Sequence, residues 1–178
     1  VVMVGFPFVA FLPRYATEIL DVGSTGYGFL AAASAVGAVF VSLYIAGRSS
    51  GRAAWRIQAI SGFLFGIMLI ALALAPSFWS AAAMVAGVGA ASAGFQAMNN
   101  SLVLTLSELE YHGRVQSLMM LSFSGFGMAA LPLGALADRV GLRQTLAGMG
   151  AAVVVAMAVY MVISQRARQR YGESVTLA

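Results

Sequence analysis

The sequence predicts an all-α integral membrane protein, a bundle of six transmembrane helices, and two observations carry that expectation. The first is composition. Of 178 residues, 61% are hydrophobic and 9% charged, and the mean hydropathy is +0.89. A soluble domain of this length covers its surface with roughly a quarter charged residues, which six acids and ten bases cannot do. The second is the way the apolar residues gather into long stretches without strand alternation. Lipid cannot satisfy backbone polar groups, so such stretches cross it as helices.

The elements follow in order. The opening run VVMVGFPFVAFLP is shorter than the roughly twenty residues a spanning helix needs and lacks the basic start of a signal peptide. It reads as the end of a truncated span, and the chain as a fragment. Five stretches long enough to cross come next: Tyr27 to Gly47, Ile57 to Pro76, Trp79 to about Leu106, Val115 to Ala137, and Thr145 to Ile163. Short connections make neighbours antiparallel. Residues 1–164 form the bundle, its first span truncated, and 165–178 a basic tail. Small residues four apart, Ala33 and Gly37, Gly62 and Gly66, Gly87 and Ala91, Ala130 and Gly134, let helix backbones approach closely.

All ten bases are arginine. They fall in short clusters beside the spans rather than along one cationic face, which argues against nucleic acid as a partner. Cysteine is absent, so disulfides and thiolate metal sites are excluded, and no metal or cofactor is expected. Arg48, Arg52, Arg56, Arg114, Arg166, Arg168 and Arg170 fall on one side of the bundle, and Arg14, Arg139 and Arg143 on the other. Short arginine-rich loops stay in the cytoplasm. The first group and the C-terminal tail are therefore expected inside, at a plasma (bacterial inner) membrane, and the turn DRVGLRQ outside.

The turn after the second span of each triplet carries related residues, AGRSSGR at 46–52 and ADRVGLR at 137–143. Three spans per unit set the two copies facing opposite sides, the pattern of an inverted 3+3 repeat. The pairing rests on Ala, Arg and a final Arg with Gly nearby, so chance repetition stays open beside it.

The turn GALADRVGLR is similar to the G-x-x-x-D-R-x-G-R-R loop of the major facilitator superfamily, with Gly134, Asp138, Arg139, Gly141 and Arg143 in place and Leu142 departing. SELEYHGRVQSLMMLSF resembles the E-x-R-G-R-V segment before the eleventh helix in the siderophore and multidrug exporter branch, with His112 where arginine is usual. LPRYATEILDVGSTGYGFLAAASAVGA resembles the seventh helix, outer loop and eighth helix of that branch. The resemblance covers nearly the whole chain. It implies spans seven to twelve of a twelve-helix transporter, with the N-terminal six-helix half of the same polypeptide as partner. It also implies secondary active export of a small molecule, drug or siderophore-like, by rocking alternating access, with the first, second, fourth and fifth spans here lining the cavity.

Polar residues on those spans are the candidates for the substrate cavity. Gln96, Asn99 and Asn100 share one face of a helix at i, i+3 and i+4. They serve either as a polar cavity wall or as interhelical hydrogen-bonding groups. Ser122 and Ser124, with Ser34, Ser42 and Tyr44, are further cavity candidates, and Phe6 and Phe8 supply aromatic walls. Pro132 removes a helical hydrogen bond and, with Gly134, marks a hinge. Asp138 near a helix C-terminus opposes the dipole unless paired. Arg139 or Arg143 is the expected partner, with Gly141 in the same turn, giving a latch at the outer gate or simply a solvated turn that caps the next helix.

No Asp, Glu, Lys or His falls inside a span, so the residue for ion coupling is not legible, and solvated positions are expected for Glu18, Asp21, Glu108 and Glu110. An enzyme is not expected. The serine of SFSG could suggest an intramembrane protease, but its base would have to be His112, in a loop about ten residues away. The permease part of an ATP-driven pump and a non-transporting structural membrane protein remain as alternatives. A single cysteine at Gly141 in this cysteine-free chain is expected to react with an impermeant thiol reagent applied outside intact cells. Labelling only after lysis would reverse the orientation.

Overall fold

Among the described residues, three of the breaks between long helices lie at Pro76–Ser77, at Gly141 and after Ser107. After Ala75, Pro76 cannot continue a helix and Ser77 starts the next one. The Ser77 side chain accepts from the Ser80 backbone N–H at 3.4 Å, while Ser80 Oγ accepts from the Ser77 backbone N–H at 3.1 Å, a reciprocal capping box. Gly141, at φ +98°, adopts a backbone that L side chains rarely take and separates two helices by one residue. Its neighbour Thr145 donates its hydroxyl to the Gly141 carbonyl at 3.0 Å. The third break follows Ser107, where a 3₁₀ turn, Leu109–Tyr111, leads into the next helix.

The computed structural model describes residues 2–46 and 51–175, with the side chains of 2, 3, 51, 52, 106, 109, 122–126 and 164–175 outside that description. The described chain is all-α: α1 (Val2–Gly5), α2 (Phe8–Arg14), a π-turn (Tyr15–Ile19), α3 (Gly23–Ile45), α4 (Gly51–Leu74), α5 (Phe78–Leu106), α6 (His112–Val140) and α7 (Leu142–Val175). Among the described residues, four segments are long and apolar enough to cross a membrane: Gly23–Ile45, Ala53–Leu74, Phe78–Thr105 and Leu142–Ile163. Val115 to Ala137, expected as a span, lies within the 29-residue α6, whose residues 122–126 are outside the side-chain description.

Two other expectations are refined. The opening run is a broken helix. Helix α1 ends at Gly5, just before Pro7, and Val9 and Ala10 in the first turn of α2 bond back to Phe6 and Pro7 in i→i+3 turns. The 164/165 boundary is not a helix end either, since α7 continues to Val175.

Helix α4 is the centre of the packing. It runs antiparallel to α5, as Gln58 meets Asn99, Ser61 meets Gly94 and Met68 meets Gly87. It is also antiparallel to α7, through Gln58 with Tyr160, Gly62 with Met157 and Gly66 with Gly150. Helix α3 lies parallel to α5, Phe29 touching Phe78 and Trp79 at one end and Ile45 clustering with Met98 and Leu102 at the other. Helix α6 packs only lightly, against α1 and α7. The main core joins Phe8, Phe11 and Tyr15 to Phe65, Leu69 and Leu72 of α4, Val85 and Val88 of α5, and Leu146, Met149 and Val153 of α7.

Small residues set these distances. A Cβ on Gly66 would lie 2.8 Å from the Gly150 carbonyl oxygen, and one on Gly150 2.6 Å from that of Gly66. A Cβ on Gly37 would run into the Ala86 carbonyl. Around Gly127 and Gly134 on α6 there is open space instead. The small-residue pairs read from sequence thus make close contacts on α3, α4 and α5, while Gly134 makes none. Gly37→Ala is therefore expected to destabilise the bundle by about 1–3 kcal/mol through overpacking against backbone, seen as a lower melting temperature in detergent. Gly134→Ala should leave that temperature nearly unchanged.

Candidate functional site

Two polar clusters tie the helices together, one near each end of the bundle. The first lies about seven residues from the end where α4 starts and α5 finishes. Gln58 of α4 is buried. Its Nε2 donates to Asn99 Oδ1 at 3.0 Å, and its Oε1 accepts from the Tyr160 hydroxyl at 3.1 Å. One amide thereby bridges α5 and α7 using both its donor and its acceptor. The Tyr160 ring stacks on Trp55, with centroids 6.2 Å apart and planes 14° from parallel, so the relay has an aromatic wall on its α7 side.

Asn99 thus takes the interhelical role of the two open to it. Its neighbours on the same face differ: Gln96 is half-buried and Asn100 is exposed. Ser34 is half-buried against α5, where a Cβ on Gly89 would meet its carbonyl and its hydroxyl. Tyr44 is exposed. The side chains of Ser122 and Ser124 lie outside the described residues. Phe6 and Phe8 both contact the ring of Phe65, at centroid distances of 5.5 and 6.0 Å, so they belong to the core rather than to a cavity wall.

The second cluster is at the opposite end. Asp138 is paired, but with neither expected arginine: Arg14 Nη1 lies 2.6 Å from Asp138 Oδ1, and Arg14 Nε lies 2.7 Å from Glu18 Oε1. These hydrogen bonds, first Glu18 and then Asp138, raise the pKa of the Arg14 guanidinium above its ordinary value. Arg143 points elsewhere and donates to the Ala75 carbonyl at 3.2 Å. The Tyr15 hydroxyl donates to the Leu72 carbonyl at 2.7 Å. Arg143 thereby fills a carbonyl just past the C-terminus of α4, where a cation suits the helix dipole, and Tyr15 is a second donor to the Leu72 carbonyl besides the Ala75 N–H. Arg139 is exposed.

Asp138 does not cap α7, because Gly141 intervenes and α6 keeps Asp138 in its last turn. Pro132 lies inside a continuous α6, with no break at the expected hinge. His112 has Nε2 at 3.0 Å from both the Leu104 and Ser107 carbonyls. Two acceptors there require the proton on Nε2, so His112 joins the end of α5 to the start of α6.

Gln58, Tyr160, Trp55 and Arg14 were missed as site residues. The signal available for Gln58 was an uncharged amide inside an otherwise apolar span, a residue type that membrane helices use to bond one another. Compared with known protein families, characterised proteins and solved structures, the chain matches none.

Replacing Gln58 with Leu removes two interhelical hydrogen bonds, each worth about 0.6 kcal/mol on average in membrane bundles. A loss of roughly 1–2 kcal/mol is expected on that scale. A double-mutant cycle of Gln58→Leu with Asn99→Leu in thermal or denaturant unfolding should give a non-zero coupling, whereas additive effects would deny the bond any weight.

Proposed function

We propose that the chain is the C-terminal half of a secondary active transporter of the major facilitator type, which exports a small molecule together with an N-terminal six-helix half. The observation that carries this reading is the helix pairing. Take the three units α1/α2, α3 and α4 as one triplet and α5, α6 and α7 as the other, and exchange them. The α3–α5 contact then becomes α6–α1, the α4–α5 contact becomes α7–α1, and α4–α7 maps onto itself, and every one of these contacts is present. Such an exchange fits an inverted repeat, and it supports the reading of AGRSSGR and ADRVGLR as related turns.

The exposed faces of α3 and α6 fit the role of a surface completed by another half. Phe40, Leu43 and Tyr44 on α3, and Leu118, Leu121, Met128 and Leu131 on α6, are all more than 60% exposed. In this reading Asn100 and Gln96 present the polar part of the cavity, and Gln58 holds α5 in register behind them. The Arg14–Asp138 pair joins the end of the first segment to the end of α6 and serves as the outer latch, in place of the Arg139 or Arg143 pairing.

The test is efflux by cells expressing the complete reading frame. A fluorescent amphipathic substrate should accumulate less, and an uncoupler should abolish the difference. Efflux that survives the uncoupler and follows ATP would favour a pump instead. Asp138→Arg is expected to impair efflux by several-fold, and the double exchange Arg14→Asp with Asp138→Arg to recover most of it. Unchanged efflux in the single variant, at normal expression, would dispose of the latch.

A further inference from the structure

An apolar groove of about 350 Å³ runs along the outer flank of α4 beside α7, lined by Ala59, Ile60, Phe63, Leu64, Ile67 and Met161. We propose that it holds one acyl chain of an anionic phospholipid, whose headgroup phosphate sits on Arg56. The proposal rests on the reading of these helices as membrane-spanning and goes beyond the transport function.

Three observations commit the groove to this occupant. Arg56, Ile60, Phe63, Leu64 and Ile67 recur at helical spacing, so the cation lies on the face of α4 that bears the groove, one turn from its end. Arg56 is exposed, and among the described residues it has no carboxylate or hydrogen-bond partner. It therefore offers an uncompensated positive charge, unlike Arg14, which is held by two carboxylates.

Length agrees as well. The stretch from Arg56 to Ile67 rises about 16 Å along the helix, close to half of a hydrocarbon core about 30 Å thick. A chain anchored at Arg56 would thus reach from the interface to near the midplane. Trp55 stands one helical turn before the lining residue Ala59, and its ring stacks on Tyr160, the residue before the lining residue Met161. It supplies the aromatic edge that suits the headgroup level.

Trp55 also supplies the reporter. The chain has two tryptophans, and Trp79 is exposed at the opposite end of the bundle, so Trp79→Phe leaves Trp55 alone. This variant is reconstituted in phosphatidylcholine vesicles containing a minor fraction of lipid brominated on the upper acyl chain, either phosphatidylglycerol or phosphatidylcholine. Brominated phosphatidylglycerol is expected to quench Trp55 about five-fold more effectively than brominated phosphatidylcholine, the size of effect one basic residue exerts at an anionic surface. Arg56→Gln should bring the ratio towards one, and Arg56→Lys should largely keep it. Equal quenching by the two lipids, or a preference that survives Arg56→Gln, overturns the site while leaving the membrane reading intact. No quenching by either lipid overturns both.

Discussion

The structure depends on how closely α4 approaches its two neighbours. At Gly66 and Gly150 the α4 and α7 backbones come near enough for the carbonyl of each glycine to occupy the place where the other's Cβ would be. Gly62 accepts the Met157 side chain, and Gly94 of α5 accepts Ser61. Between apolar helices in an apolar solvent there is no hydrophobic drive to associate, so dispersion over such close contacts and a few hydrogen bonds must supply the attraction. Substituting Gly66 or Gly150 would push the two helix backbones apart, whereas at Gly62 the Met157 side chain is what would have to move.

The polar groups follow from that proximity. Gln58 reaches both Asn99 and Tyr160 because α5 and α7 are drawn onto opposite sides of α4. Free amide and hydroxyl groups are costly in a dry interior, and in this relay the donor and the acceptor of Gln58 are both used. At the other end, Tyr15 and Arg143 donate to carbonyls in the last turn of the same helix and just past it. Helix α4 is thus fastened near both ends by side chains from segments far away in sequence.

What could be read from sequence is what depends on neighbouring residues. The Pro76 and Ser77 break, the Gly141 turn and the apolar character of α3, α4, α5 and α7 all follow from local chemistry, and the structure has each of them. The partner of Asp138 was misread because proximity in sequence favoured Arg139 and Arg143, while the arginine that reaches it is 124 residues away. Asn99 was recognised as a polar face residue, but its use depends on where Gln58 stands, and helical spacing within one segment cannot supply that. Phe6 and Phe8 read as aromatic walls because the position of Phe65, which both rings contact, was not visible.

Helix α6 makes the surrounding medium part of the fold. Leu118, Met120, Leu121, Met128 and Leu131 are each more than 60% exposed. Keeping a large apolar side chain in water rather than an apolar medium costs about 2 kcal/mol. Five of them together amount to roughly 10 kcal/mol, within the 5–15 kcal/mol that typically separates a folded domain from its unfolded chain. These side chains are wet in the unfolded chain too, so water gives them no gain on folding, whereas an apolar phase over α6 supplies that transfer energy. The conformation described here is therefore a joint property of the polypeptide and whatever apolar phase covers α6, and a melting temperature measured for it characterises that pair.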